Sequence, residues 1–130
     1  MASIFTKIIN KELPGYILAE DSNFIAFLDI SPLTFGHALV VPKQEIDYIF
    51  DIKDDVLGAM MQFSKKVALA IEKVVPCKRI GIAVIGLEVP HAHVHLVPLN
   101  SVSDINFSLP KKSFPHEEME KLTKEIKSFL

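Results

Sequence analysis

Apolar residues along this chain recur with two different periods. Tyr16–Glu20 and Phe24–Leu28 are short apolar runs on either side of the turn Asp21-Ser22-Asn23, and they predict a pair of strands. Asp29-Ile30-Ser31-Pro32 breaks the pattern and predicts a loop. His37–Val41 is a third strand, closed by Pro42. The period then changes. Val56, Met60, Phe63, Val67, Ile71 and Val74 fall at steps of three or four, which puts them on one face of a helix. Asp51 or Asp54 is placed to cap its start, and Pro76 ends it. Arg79–Ile85 predicts a fourth strand and His91–Leu96 a fifth. Residues 4–10 form a short helical turn. A polar stretch from Asn100 to Ser113 leads to a C-terminal helix, with Met119, Leu122, Ile126 and Phe129 as its apolar stripe and Pro115 in its first turn. The sum is an α+β fold with a largely antiparallel five-stranded sheet, a long central helix and a C-terminal helix.

Composition narrows the function more than the fold. A chain of 130 residues, 49% hydrophobic, can bury the core of one domain, taken here as residues 1–130. A formal charge of −2 gives no footprint for a nucleic-acid partner, so a nucleotide ligand has to be gripped locally. The single cysteine, Cys77, allows no intrachain disulfide and reads as a small, partly buried side chain. The N-terminal segment carries no apolar stretch for export or for spanning a membrane, and the expected location is the cytoplasm.

The chemistry concentrates in one run, His91-Ala92-His93-Val94-His95-Leu96. On an extended chain His91, His93 and His95 face one side, while Ala92, Val94 and Leu96 face a core. Imidazole titrates near neutral pH, so three in register point to a metal, an anion or a nucleophile with helpers. Three in-line imidazoles span roughly 13 Å at strand spacing, too far to share one ion without distortion. Glu88 is near enough in sequence to be a further ligand, and a site using His91 and His95 stays open. Phosphorus chemistry needs no metal. One imidazole nitrogen attacks while an acceptor fixes the proton on the other, which makes the middle residue, His93, the natural nucleophile. His37 suits either a turn or a fourth place in the site, and Asp29 either a turn or a ligand contact. His116 reads as solvent-exposed.

His91-Ala92-His93-Val94-His95-Leu96-Val97 matches the signature of the histidine triad (HIT) family in full, and the chain resembles that family over about residues 3–99. Ser3–Ile9 with Glu12-Leu13-Pro14, Phe27–Pro32 and Gly36–Lys43 resemble the family's N-terminal helix, ribose-binding loop and third strand. The resemblance implies a hydrolase or transferase acting on the α-phosphate of a nucleoside derivative. His93 forms a covalent nucleotidyl-histidine that water resolves to the nucleoside monophosphate. His91 orients His93 through its backbone carbonyl, and His95 and His37 contact phosphate or help the leaving group. Asp29 accepts from the ribose hydroxyls. Ile4, Phe5, Ile8, Phe27 and Ile30 line the base pocket, with Glu88 and Val89 also on the nucleotide. The resemblance further implies a purine nucleotide as the small-molecule partner, no cofactor, and a homodimer whose two sheets join into one.

Departures from the family pattern sharpen these expectations. Ser3 and Thr6 stand where many bacterial members carry the two cysteines of a structural zinc site, and Gln44-Glu45 stand where a further histidine is usual. No structural zinc is expected. Ile85-Gly86-Leu87-Glu88-Val89-Pro90 lacks the usual hydroxyl before the triad and offers Glu88 instead. A carboxylate there favours a phosphoramidate with an amine leaving group over a dinucleoside polyphosphate. The rival to an enzyme is a nucleotide-binding regulatory module with little turnover. Residues 100–130 form a C-terminal extension.

Overall fold

Strict alternation in the central strands gives this sheet two covered faces. A computed structural model describes residues 2–130, and Met1 lies outside it. Five strands, β1 (Ile17–Glu20), β2 (Phe24–Leu28), β3 (Ala38–Pro42), β4 (Arg79–Ala83) and β5 (Val94–Leu99), pair in the order β1-β2-β3-β5-β4. Every pairing is antiparallel. Phe24, Ala26 and Leu28 of β2, Ala38 and Val40 of β3, and Val94 and Leu96 of β5 enter one core. The residues between them, Ile25, Phe27, Leu39 and Val41, enter a second core with Phe5.

Two helices cover the first face. α2 (Asp54–Val74) buries Met60, Val67 and Ile71, and α3 (His116–Lys127) buries Met119, Leu122 and Ile126. These are the stripes that the helical period predicts, although Phe129, beyond α3, is 54% exposed. The other face receives α1 (Ile4–Ile9), whose Phe5 ring lies 5.6 Å from that of Phe27. No helix among the described residues is long and apolar enough to cross a membrane.

Several boundaries differ from expectation for local reasons. Neither Asp51 nor Asp54 caps α2. Asp51 closes a short 3-10 turn, Ile49–Asp51, and Lys53 holds the cap position without a side-chain bond. Asp54 and Asp55 sit instead in the first turn, where carboxylates favour the positive end of the helix dipole. Pro115 precedes α3 rather than entering it. β4 ends at Ala83, and the ladder of β5 begins only at Val94. His91 and His93 therefore precede the ladder, although Ala92 still faces the first core. There the Ala92 amide donates to the Ile46 carbonyl at 2.7 Å.

Candidate active site

The imidazoles of His37, His91, His93 and His95 are all buried, none more than 8% exposed. Antiparallel pairing sets Leu39 of β3 opposite His95. His37, two residues before Leu39, is thus the diagonal neighbour of His95 on the same face. Gly36 makes this possible. Its φ of +95° turns the chain into β3, a conformation that glycine adopts without steric cost.

Main-chain groups fix the proton on three of the rings, and His37 fixes it on His95. The Leu33 amide donates to His37 Nδ1 at 3.0 Å, so neutral His37 carries its proton on Nε2. That N–H donates to His95 Nδ1 at 3.0 Å, which leaves the His95 proton on Nε2. His93 Nδ1 donates to the His91 carbonyl at 2.7 Å, and its Nε2 is left as a bare lone pair. His91 Nε2 donates to the Pro42 carbonyl at 2.7 Å. His91 Nδ1 is then an acceptor, satisfied by the Ser3 hydroxyl at 2.7 Å. No buried side-chain nitrogen or oxygen among the described residues lacks a partner. His93 Nε2 and His95 Nε2 have none, so both reach solvent. The site thus presents one nucleophilic nitrogen and one N–H donor on rings whose centres are 4.8 Å apart.

Burial favours the neutral forms of His37, His91 and His95. It pushes the His37 imidazolium down to about 4 and that of His95 to about 3, and it lowers His91 as well. Asp29 Oδ2 lies 3.8 Å from His37 Nε2, but with His37 neutral this contact is no ion pair. The Asp29 carboxyl is itself raised by burial. Asp29 fulfils the turn-forming reading, because its Oδ1 accepts from the Ser31 amide at 2.8 Å, while Oδ2 stays available to a ligand.

The nitrogen assignments also weigh the metal readings. Asp29, His37 and His95 bring one ligand atom each within 4.8 Å of one another. A metal on His37 Nε2 requires the proton on Nδ1, where the Leu33 amide already donates, so the donor set does not fit. His91 has both nitrogens engaged. Ser3, Thr6 and Glu45 do converge on His91. Glu45 Oε1 accepts from the Ser3 amide and from the Thr6 hydroxyl, each at 2.6 Å. Two hydroxyls in this cluster do not supply the thiolates of a structural zinc site.

The apolar candidates divide by position. Phe5 and Phe27 are buried, and Phe5 stands edge-on to His93 at 4.9 Å. Ile8 and Val89 pack on the same cluster. Ile4 and Ile30 are exposed, as is Glu88. Two neighbours of the site are absent from the sequence reading. Phe107 stands edge-on to His95 at 4.6 Å and lies 6.2 Å from His37. Lys111 Nζ lies 5.4 Å from the centre of the Phe107 ring. Both fall in the polar stretch after β5, where periodicity carries no signal; a lone phenylalanine and lysines among polar residues were the only cue.

The fold and this histidine site define a known class. The HIT domain model matches residues 10–102, and the chain belongs to the HIT family. It is 34% identical to an adenosine 5'-monophosphoramidase of Saccharomyces cerevisiae, over 96% of this chain and 80% of that one. It is 33% identical to an adenosine 5'-monophosphoramidase of Schizosaccharomyces pombe, over 98% of each chain. Among solved structures it is similar to a hypothetical histidine triad nucleotide-binding protein from Sulfolobus tokodaii, with a TM-score of 0.81, 31% identity, and 96% of this chain and 89% of that one covered. Together these relatives support a nucleotide hydrolase role.

Proposed function

We propose that this chain is a nucleoside phosphoramidase that attacks the α-phosphorus of a purine nucleoside phosphoramidate through His93 Nε2. A bond forms from that nitrogen to phosphorus as the P–N bond breaks. The bonding pair leaves on the amine nitrogen, which takes a proton from solvent. The His93 ring, now cationic, keeps its Nδ1 proton on the His91 carbonyl. Water then adds to phosphorus, His93 departs with its electron pair, and the proton lost by water returns to solvent. The products are the nucleoside monophosphate and the free amine.

The observation that carries this reading is the 2.7 Å bond from His93 Nδ1 to the His91 carbonyl. It leaves the lone pair on the open nitrogen, and it becomes a charge-assisted bond when the ring is phosphorylated. His95 Nε2–H stands on a ring whose centre is 4.8 Å from that of His93 and suits a phosphoryl oxygen or the leaving group. Asp29 Oδ2 takes the ribose hydroxyls, and the cluster of Phe5, Phe27, Ile8 and Val89, flanked by Ile4 and Ile30, receives the base. Relatives that are themselves monophosphoramidases support the substrate class.

The test is His93→Ala with an adenosine phosphoramidate. Turnover should fall by at least about a thousandfold, the scale for losing a covalent nucleophile. Binding of the nucleoside monophosphate should persist. Turnover that survives the substitution defeats the reading. Wild-type protein that binds nucleotide but turns over no phosphoramidate makes the chain a binding module.

A homodimer through β4 belongs to the same proposal. β4 is an edge strand, and a free edge is normally covered or paired. Ile82 within it and Val84 just after it are exposed, as are Met61 and Leu69 of α2. Pairing of β4 with a second copy would extend the sheet and cover these side chains.

A further inference from the structure

The segment after β5 reaches back over the histidines and brings the site a cation. It begins with a 3-10 turn, Val102–Ile105, closed by a reciprocal bond between Ser101 and Asp104. Its far end is tied down twice. The Lys112 amide donates to the Pro32 carbonyl at 2.8 Å, beside the Asp29 turn, and Phe114 packs edge-on against Phe35 at 4.8 Å. Between these anchors Phe107 lies against His95 and His37. Lys111 Nζ donates to the Phe107 carbonyl at 2.8 Å, one phenyl ring away from His95. All but its first residue lies beyond the part of the chain that the HIT domain model matches, residues 10–102.

Charge makes Lys111 conspicuous. His37 and His95 are neutral, so neither supplies a positive charge. The ion pairs among the described residues engage Lys11, Lys43 and Lys121, but not Lys111. Its charge reaches Asp29, His37 and His95, and at each it favours the deprotonated form. Glu88 is exposed. The Lys111 side chain is also exposed, and a single hydrogen bond to a carbonyl holds its ammonium. A lysine so held can exchange that carbonyl for an anion at the cost of one modest bond.

We infer that Lys111 is a specificity-determining residue, which selects substrates whose leaving group carries a negative charge, a carboxylate or a phosphate. The inference rests on the phosphoramidase reading and adds the chemistry of the group expelled. The bond to phosphorus breaks as before. Lys111 neutralises the anion on the departing fragment and takes no part in the transfer itself.

The test compares kcat/KM for matched substrates. One is an adenosine phosphoramidate of a neutral amine. The second has an otherwise identical amine that bears a carboxylate. The third is adenosine diphosphate, whose leaving group is phosphate. Wild type should favour at least one anionic substrate over the neutral one by about 10- to 100-fold, the range of a charge-assisted hydrogen bond. Lys111→Gln should erase most of that preference, and Lys111→Arg should retain it. The arm that loses its advantage, carboxylate or phosphate, names the source of the anion. A preference unchanged in Lys111→Gln, with all proteins turning over, overturns the role of Lys111 and leaves the phosphoramidase reading intact. Wild-type inactivity on every substrate defeats that reading, and this inference falls with it.

Discussion

At the scale of single residues, a main-chain carbonyl fixes the His93 Nδ1 proton, and burial favours the neutral forms of His37, His91 and His95. The sign of the pH dependence is fixed. His37 and His95 bind protons near pH 6.5 in the unfolded chain but only near 4 and 3 when folded. Their contribution to stability is complete above pH 6.5 and is lost as pH falls toward those folded values. Chemical denaturation should show the protein about 4 kcal/mol less stable at pH 5 than at pH 7, about 2 kcal/mol for each of the two rings. Equal stability at the two values would show that the rings are not held neutral. Ser3 permits a second prediction. Ser3→Ala leaves His91 Nδ1 buried without its hydroxyl donor. The expected cost is about 1–3 kcal/mol in the same measurement, and no loss would mean that another donor replaces Ser3. The triad was legible because three histidines in register with core residues have no ordinary packing role. The hydroxyl cluster around His91 was not, because Ser3, Thr6 and Glu45 come from distant parts of the chain.

Elements carry the next level. The strands β2 and β3 were readable as short apolar runs bounded by turn residues, β5 from the alternation of histidine with apolar residues before it, and α2 because its apolar positions keep one helical face for twenty-one residues. Places where packing overrides local signals were not readable. The Asp51 carboxyl looked like a cap, yet a 3-10 turn absorbs it. His116 was expected to be solvent-exposed, and its side chain is 68% exposed. Even so, its Nδ1 shares a 2.6 Å hydrogen bond with the Tyr16 hydroxyl and so joins α3 to the segment leading into β1. Phe107 and Lys111 could be placed only by the long return of the chain over the sheet. The turn into β3 gives a sharper prediction. A methyl group at Gly36 would meet Val75 Cγ2 at 2.8 Å, at a φ of +95° that side-chain-bearing residues rarely adopt. Gly36→Ala should cost about 1–3 kcal/mol and, by shifting His37, should lower turnover more than it lowers nucleotide affinity. Turnover equal to that of wild type in the folded variant would show that His37 tolerates displacement.

The whole molecule is a sheet with α2 and α3 on one face, α1 and the histidines on the other, and exposed apolar side chains along the edge strand β4. If β4 pairs with a second copy, Ile82→Lys should place a charge in that seam. Light scattering should then report a monomer for the variant and a dimer for wild type, and a wild-type monomer at micromolar concentration would rule the pairing out. The fold class follows from patterns that extend over whole elements, whereas the strand order is known only from the structure. The edge pairing and the return of residues 102–113 depend on surfaces that no local pattern encodes. One feature of the site has a lasting consequence for anyone wishing to redesign it. Leu33 steers the imidazole protons through its N–H, and Pro42 and His91 through their carbonyls, peptide groups that every amino acid except proline brings in full. Exchanging those residues for others would leave the steering unchanged so long as the chain kept its path. Reversing the direction in which the nucleophile faces therefore calls for rebuilding a loop.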